Sequence, residues 1–441
     1  MVASLSGLLS LMRHHGAERI YAKKLAPNDN SKNQVYLGGG FGALNIIPHG
    51  EIVIDTREVA GSKQDRPKAK VKFFWLDEDG RQPTPDAQLI LYPDYPEVRM
   101  SGFLKGCKAA PSAIMTVRDP GRVLFMGMTA TGDVLGYATF ADNPIADEVN
   151  AREWQSVGVF LELPLDPDQK VSPKAILLSE LRRVYEQHWI ASQRLARDGQ
   201  KMQYTAPNAG GYTLEAELGI IPNGIAEPDF MGWEVKQYGV GDFISYRAKT
   251  PVTLMTPEPN GGIYKDDGVA PFLRRYGYAD KNGKPDRLNF GGIYTCQKGL
   301  HPDTGLRMTI AGFDADKGII TDLSGGIRLV DGAGEVAASW SFTGMMEHWN
   351  RKHAQAAYVP TLFRTPPPEY SFGSRILLCE QTDFILFLKG FASGAVYYDP
   401  AVKLERASEA KPVLKRRSQF RVRHGDLKKM YHHSEVVDLL P

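Results

Sequence analysis

Short apolar runs separated by turn formers dominate the first third of the chain. They read EIVIDTREV (51–59), VKFFWLD (71–77), AQLILYP (87–93), RVLFMGM (122–128), DVLGYATF (133–140) and SVGVFLELPL (156–165), with Gly, Pro, Asp and Asn between them. Runs of this kind, rich in β-branched and aromatic residues, predict the strands of a barrel or sandwich. The opening VASLSGLLSLM is short, lacks a basic leader and runs into Arg13, His14 and His15. It predicts an amphipathic first helix rather than an export signal.

The pattern changes at LPLDPDQKVSP (163–173), where Ser172 and Pro173 form an N-cap and first-turn pair. The following AILLSELRRVYEQHWIASQRLARDG (175–199) carries Leu177, Leu181, Val184, Tyr185 and Leu195 at roughly helical spacing, with Gly199 as a stop. It predicts one helix. The division expected is therefore a strand-rich domain over 1–165, a linker over 166–175, and a mixed α/β domain over 176–441. Within the last, PTLFRTPPPEYSFG (360–373) reads as a surface loop by its prolines.

A length of 441 residues agrees with two domains. No stretch is long and apolar enough to span a membrane. Three scattered cysteines, Cys107, Cys296 and Cys379, argue against a disulfide framework and against a zinc cluster, and favour a cytoplasmic protein. Net charge is only +2, yet residues 401–433 hold ten Lys/Arg against three acids, a local excess of +7. Half of those bases fall in KRRSQFRVR (415–423). Such a cluster is either a solvated tail or an electrostatic footprint for a phosphate backbone.

The chemistry concentrates in GYTLEAELGIIPNGIAEPDFMGWEVKQY (211–238). TLEAEL reads as a helix end closed by Gly219. Beyond a Pro-Asn-Gly turn, Trp233 and Val235 point to one face of a strand, Glu234 and Lys236 to the other. Asp229 has the wrong parity for that face, so a bend near Met231–Gly232 is required to bring it back, and glycine makes the bend cheap. Two carboxylates beside a lysine suit phosphodiester hydrolysis. The carboxylates hold a hard cation such as Mg²⁺, and the amine orients water and offsets developing charge. The competing reading is an edge strand of alternating charge.

With the upstream Glu215, the pattern E-x-x-L-G, a turn, then P-D-F-x-G-x-E-x-K resembles the PD-(D/E)XK nucleases. More narrowly, it is similar to the MvaI/BcnI restriction endonucleases and their mismatch-repair relative MutH. The resemblance covers about 175–441 and implies a restriction-endonuclease-like α/β fold. It matches Glu215 to a helix-borne glutamate, Asp229 and Glu234 to metal ligands for Mg²⁺, and Lys236 to the catalytic lysine. Glu217 and Glu227 have no counterpart and read as surface residues. In the C-terminal region the same resemblance implies DNA contacts from Asp399, Lys403, Arg416, Arg417, Gln419 and the Phe420–Arg421 pair. Arginine reads guanine bidentately and aspartate accepts from cytosine.

In the first domain, YAKKLAPNDNSKNQVYLGGGFGALNIIP (21–48) is by itself a basic loop beside a hairpin. It also resembles the start of the B3-like DNA-binding domain of EcoRII-type restriction enzymes, on Lys23 or Lys24, Leu25, Asn28, Asp29 and Gln34. That implies an all-β, seven-stranded pseudobarrel gripping DNA with two arms. LYPDYPEVRMSGFLKG (91–106) offers Tyr92, Arg99, Ser101 and Lys105 for one arm, and 145–156 offers Arg152 and Trp154 for the other. Together the two resemblances imply a Type IIE restriction endonuclease, monomeric, acting at CCWGG or a close pseudopalindrome, with a second copy of the duplex site bound by the N-terminal domain. The rival readings are a MutH-like nicking enzyme and a DNA-binding protein with an inactive nuclease fold.

Overall fold

The structure, a computed structural model, describes residues 2–27, 34–54, 66–77, 80–165, 172–222 and 229–440. The chain divides into two compact units, Met1–Ile176 and Leu177–Pro441.

In the first unit the apolar runs form strands. A seven-stranded sheet runs in the order Gln155–Val157, Phe160–Leu163, Ala17–Lys24, Val123–Thr129, Asp133–Thr139, Lys72–Asp77, Gly80–Thr84. Only the pairing of Asp133–Thr139 with Lys72–Asp77 is parallel. A five-stranded sheet runs Val35–Gly39, Glu97–Ser101, Gln88–Tyr92, Pro67–Lys70, Ile52–Ile54. Both sheets are open among the described residues, and three α-helices accompany them, Leu5–His14, Ser112–Met115 and Pro144–Ala151. The first helix is the one its sequence predicts. Ser4 caps it, accepting from the Gly7 amide at 3.2 Å. Leu5, Leu8, Leu9 and Met12, spaced along one face, pack with Ile145 and Val149 against Ile20, Phe125 and Leu135.

The second unit is built on a six-stranded mixed sheet. Ile190–Ala191, Glu369–Phe372, Gln355–Arg364, Arg375–Thr382 and Tyr431–Asp438 follow in order, and Glu234–Gly239 joins parallel to Gln355–Arg364. Helices Pro173–Glu186 and Ala209–Glu217 cover one face through Leu177, Leu181, Val184 and Leu214, packed on Trp233, Val235, Ala357, Val359 and Leu378. Among the described residues no helix is long and apolar enough to cross a membrane.

Two local expectations need correction. The predicted helix over 175–199 stops at Glu186. His188 takes a left-handed φ of 58°, which breaks the helical path, and Ile190 then pairs with Tyr370 at the sheet edge. Gly199 closes a hairpin turn between Gln193–Leu195 and Lys201–Gln203, not a helix. The stretch 360–373 is a hairpin rather than a loop, because only residues 365–368 turn while its flanks pair across Thr361↔Phe372 to Arg364↔Glu369.

Candidate active site

The site begins with a turn. Phe230 and Trp233 exchange both backbone hydrogen bonds, at 2.9 and 2.8 Å, around Met231 (φ 46°) and Gly232 (φ 87°). Two positive φ values in a two-residue loop are the signature of a type I′ turn, which folds the chain back tightly. The bend required by the parity of Asp229 is therefore present. Its Oδ2 accepts the Val235 amide at 3.1 Å, which lays the carboxylate beside the start of the strand Glu234–Gly239.

That strand lies parallel to Gln355–Arg364 with Glu234 opposite Ala356 and Lys236 opposite Tyr358. Trp233 and Val235 anchor its other face in the core. On the near face Lys236 Nζ stands 2.7 Å from Glu234 Oε1, with the two side chains only 19% and 5% exposed. Glu215 arrives on the helix Ala209–Glu217, whose last turn is closed by the Ile220 amide donating to the Glu215 carbonyl at 2.8 Å. The helix passes close to the strand because residue 210 is glycine. A Cβ there would lie 3.0 Å from the Tyr370 ring and 3.2 Å from the Gln237 amide group.

Charge in the cluster is coupled. Burial, then Glu234, then more weakly Glu215, push the Asp229 carboxyl up to about 7, opposed by the Val235 amide and Lys236. Burial works against the Lys236 ammonium, but Glu234, Asp229 and Glu215 outweigh it and hold that pKa above its ordinary value. With all three carboxyls ionised, the cluster has a formal surplus of two negative charges over its one ammonium, the amount a divalent cation neutralises. Among the described residues no group of three His, Cys, Asp or Glu side chains forms a ready cage for an ion. Two hard oxygen donors with the remaining positions left to water and phosphate is the manner in which Mg²⁺ is held, so the donor set fits that ion.

Glu217 is not the surface residue its sequence implied. It is 6% exposed, and its Oε1 accepts from Gln193 at 2.6 Å and pairs with Lys201 at 2.5 Å. Its Oε2 accepts from Gln187 at 2.9 Å and faces Arg183 at 3.6 Å. Burial penalises the charge, yet Lys201, Gln187 and Arg183 together hold the carboxyl below its usual range. Surrounded by a helix and a hairpin, Glu217 pins the end of the helix that carries Glu215. Glu227 lies outside the described residues.

Of the C-terminal candidates, Asp399 and Arg421 are brought together. Arg421 Nη1 donates to Asp399 Oδ2 at 2.6 Å and its Nη2 to the Pro251 carbonyl at 2.9 Å. Arg416 and Arg417 are exposed, Gln419 half-buried, and Lys403 sits on Ala401–Glu405 opposite Asn289 and Lys415. The intervening Ser418 is buried, donating to the Pro257 carbonyl at 2.5 Å, and so fixes where the flanking arginines emerge.

In the first unit Gln34, Tyr92 and Arg99 converge. Gln34 Oε1 accepts from the Tyr92 hydroxyl at 3.2 Å and from Arg99 Nη1 at 3.4 Å. The guanidinium groups of Arg66 and Arg99 lie 4.4 and 4.8 Å from the Tyr92 ring centre. Lys23 is buried, which lowers its ammonium pKa to about 8, whereas Lys24 is exposed. Ser101 is buried and accepts from Gln88 at 3.4 Å. Lys105 is exposed and paired with Asp86 at 3.1 Å. Arg152 follows the helix Pro144–Ala151, 3.6 Å from Glu148 and 5.9 Å from the Trp154 ring. Asn28 and Asp29 lie outside the described residues.

Sequence reasoning also passed over a buried polar group behind the site, Tyr358, Tyr431 and His353. Tyr358 stands in the strand Gln355–Arg364, five residues after His353, and Tyr431 lies 73 residues further along, so no local spacing links all three.

The model of the MvaI/BcnI restriction endonuclease family matches residues 178–431. Among solved structures, the restriction endonuclease MvaI in complex with its cognate DNA substrate is similar at 15% identity, over 60% of this chain and 97% of that one, with a TM-score of 0.45. MvaI in the absence of DNA is similar at 16% identity, over 61% and 99%, with a TM-score of 0.34. No curated protein matches. The chain belongs to the MvaI/BcnI restriction endonuclease family.

Proposed function

We propose that this site-specific DNA-cleaving enzyme is a Mg²⁺-dependent Type IIE restriction endonuclease. In this reading it hydrolyses phosphodiester bonds within CCWGG or a closely related G·C-rich pseudopalindrome, at the Asp229/Glu234/Lys236 cluster. The observation that carries this reading is the type I′ turn at Met231–Gly232, which places Asp229 against the amide of Val235 and so beside Glu234. A solvated edge strand would have no use for burying two carboxylates and a lysine together. Asp229 and Glu234 hold the ion, which when bound neutralises phosphate charge and acidifies water. Lys236, kept charged by its carboxylate neighbours, donates to the attacking water and to the scissile phosphate, where negative charge develops. Glu215 adds negative potential that favours cation entry.

Asp399, Lys403, Arg416, Arg417, Gln419 and Arg421 read and grip the cleaved site, with the exposed arginines contributing phosphate contacts. A second duplex binds the first unit, which we take to be B3-like, through Lys24, Asn28, Asp29, Arg99, Lys105 and Arg152. Support comes from the arginine-flanked Tyr92, a platform suited to an anionic backbone. The protein works as a monomer in this scheme, one chain supplying one cluster per strand cut.

Digestion of DNA of known sequence with Mg²⁺, followed by mapping of the ends, tests the reading. Cuts at one recurrent G·C-rich site support it, and binding without metal-dependent cleavage rules it out. Adding a short site-bearing duplex in trans separates activation from tethering: stimulation shows relief of an occluded cleft, whereas inhibition or indifference shows tethering.

A further inference from the structure

The hairpin that Glu217 ties to the Glu215 helix carries an arginine that has no acidic partner among the described residues. Gln193–Leu195 pairs with Lys201–Gln203, and side chains alternate between its two faces. Gln193, Leu195 and Lys201 face inward, the first and last onto Glu217 at 2.6 and 2.5 Å, while Leu195 is buried. Arg194 and Met202, opposite each other in register, therefore face outward, and Met202 is exposed. The Arg194 guanidinium lies 5.0 Å from the centre of the Tyr204 ring, which continues that outer face. Its Nε is buried without a hydrogen-bond acceptor, and among the described residues no carboxylate pairs with it. The neighbouring cations differ, since Arg183 and Lys201 are both paired with Glu217.

This outer face leads to the active site through direct contacts. Tyr204 is fixed at both ends, its amide donating to the Ser192 carbonyl at 3.1 Å and its hydroxyl to Asn208 Oδ1 at 3.1 Å. Its ring meets the Tyr212 ring edge-on, with 5.2 Å between centres and 87° between planes. Tyr212 stands on the helix Ala209–Glu217 three residues before Glu215, which puts the two on one side. The Glu215 carboxylate folds back along that side, so that a Cβ at Gly211 would lie 3.9 Å from its Oε1. The same first turn abuts the strand of Lys236, where Gly210 approaches Gln237.

We propose that Arg194 grips a backbone phosphate of the strand being cut, beside the scissile bond, with Tyr204, braced by Tyr212, as the positioning residue that holds its guanidinium there. The idea rests on the nuclease reading above. A cluster of acidic residues attracts a cation but repels the DNA backbone, so a strand seated on it needs a fixed positive charge at its flank. Arginine suits that place, because its planar fork binds phosphate through two parallel hydrogen bonds while its face stays on the ring. Stacking alone accounts for the pair but not for a half-buried guanidinium without an anion. Such a charge is costly in the free protein, and a phosphate arriving at its outer edge offsets that cost.

The test uses the full chain with Arg194→Met, which keeps an apolar stem on the ring and removes the charge. Single-turnover cleavage in Mg²⁺ is followed over a range of enzyme and salt concentrations, on duplexes with a neutral methylphosphonate at one backbone position at a time. The expected result is a half-saturating enzyme concentration raised about tenfold, a maximal rate kept within about threefold, and a salt slope reduced by about one. In the parent, neutralising one phosphate within about four nucleotides of the cut, at about 3.4 Å of rise each, costs the same tenfold. At that position Arg194→Met loses nothing further, because both changes remove one contact. Tyr204→Leu should follow Arg194→Met, and Tyr204→Phe, which retains the ring, should saturate like the parent. If Arg194→Met saturates like the parent, or if every neutralised position adds its full loss to that of the variant, the proposal is overturned. A variant that fails to fold is replaced by Arg194→Gln, to which the same outcomes apply. A parent chain that cuts no duplex in Mg²⁺ overturns the nuclease reading, and this proposal with it. A parent that cuts while Arg194→Met saturates equally overturns the grip by Arg194 alone.

Discussion

Asp229 is bonded to the amide of Val235 across a turn whose two central residues, Met231 and Gly232, both have positive φ. This relationship converts a residue of the wrong strand parity into a neighbour of Glu234. It depends on Gly232, whose φ of 87° is disfavoured for any residue with a side chain. Gly232→Val is expected to open the turn and withdraw Asp229, cutting the cleavage rate by at least about tenfold, the price of roughly 1.4 kcal/mol of misplacement. DNA binding should hold. Full activity in this variant would show that Asp229 does not need the turn.

Lys236 makes a sharper case. It is paired with Glu234, and its ammonium stays charged through Glu234, Asp229 and Glu215 despite burial. Lys236→Ala should lower single-turnover cleavage by at least about a hundredfold, comparable to losing one donor aimed at a developing oxyanion. Filter binding should find DNA affinity little changed. Loss of binding with residual chemistry intact would reassign Lys236 to a DNA contact.

Glu217 governs stability. Glu217→Ala removes the acceptor for Gln193, Gln187, Lys201 and Arg183, and because the two cations can still reach water the expected cost is about 1–3 kcal/mol in urea unfolding. The pH dependence has a definite sign. The folded carboxyl titrates below its unfolded value of about 4.3, so its contribution is fully present above that pH and is lost as pH falls through the folded pKa. The stability gap between the parent and Glu217→Gln should therefore be flat near neutrality and narrow in acid. A gap that widens on acidification would contradict the assignment.

These cases show what the sequence carried and what it did not. The strands of the first unit were legible because each apolar run is bounded by turn residues. The alternation around Glu234 also showed correctly which side chains share a face. The helix over 175–199 was over-extended because Leu195 kept a helical spacing while being buried in a hairpin, a tertiary placement that local periodicity cannot register. Glu217 was misread for a related reason. A glutamate near a helix end is ordinarily solvated, and its partners Gln193 and Lys201 come from a hairpin that the sequence had assigned to the helix and its end.

In the basic C-terminal region, exposure separates two kinds of arginine. Arg416 and Arg417 project into solvent, whereas Arg421 is committed to Asp399 and the Pro251 carbonyl. Arg416→Ala and Arg417→Ala should each weaken binding uniformly across DNA sequences and reduce the slope of log affinity against log salt by about one. Arg421→Ala should instead alter discrimination between sites and lower thermal stability, because it strips Asp399 of its partner. Identical salt slopes in all three variants would remove the distinction.

The last expectation concerns the first unit. Tyr92 is flanked by Arg66 and Arg99, and Gln34 accepts from both Tyr92 and Arg99, so one guanidinium orders the whole cluster. Arg99 is in turn paired with Glu97 at 2.7 Å, which restrains it on the strand Glu97–Ser101. A planar donor stacked on a ring cannot be replaced by an ammonium without losing the stacking, so Arg99→Lys and Arg99→Ala should behave alike. If this cluster holds the second duplex, titration of the full chain with a short site-bearing duplex in Ca²⁺ should saturate at two duplexes for the parent and one for either variant. Retention of two by Arg99→Ala would place the second site elsewhere. A parent chain that binds one would remove the Type IIE reading and leave the cluster at Asp229 untouched.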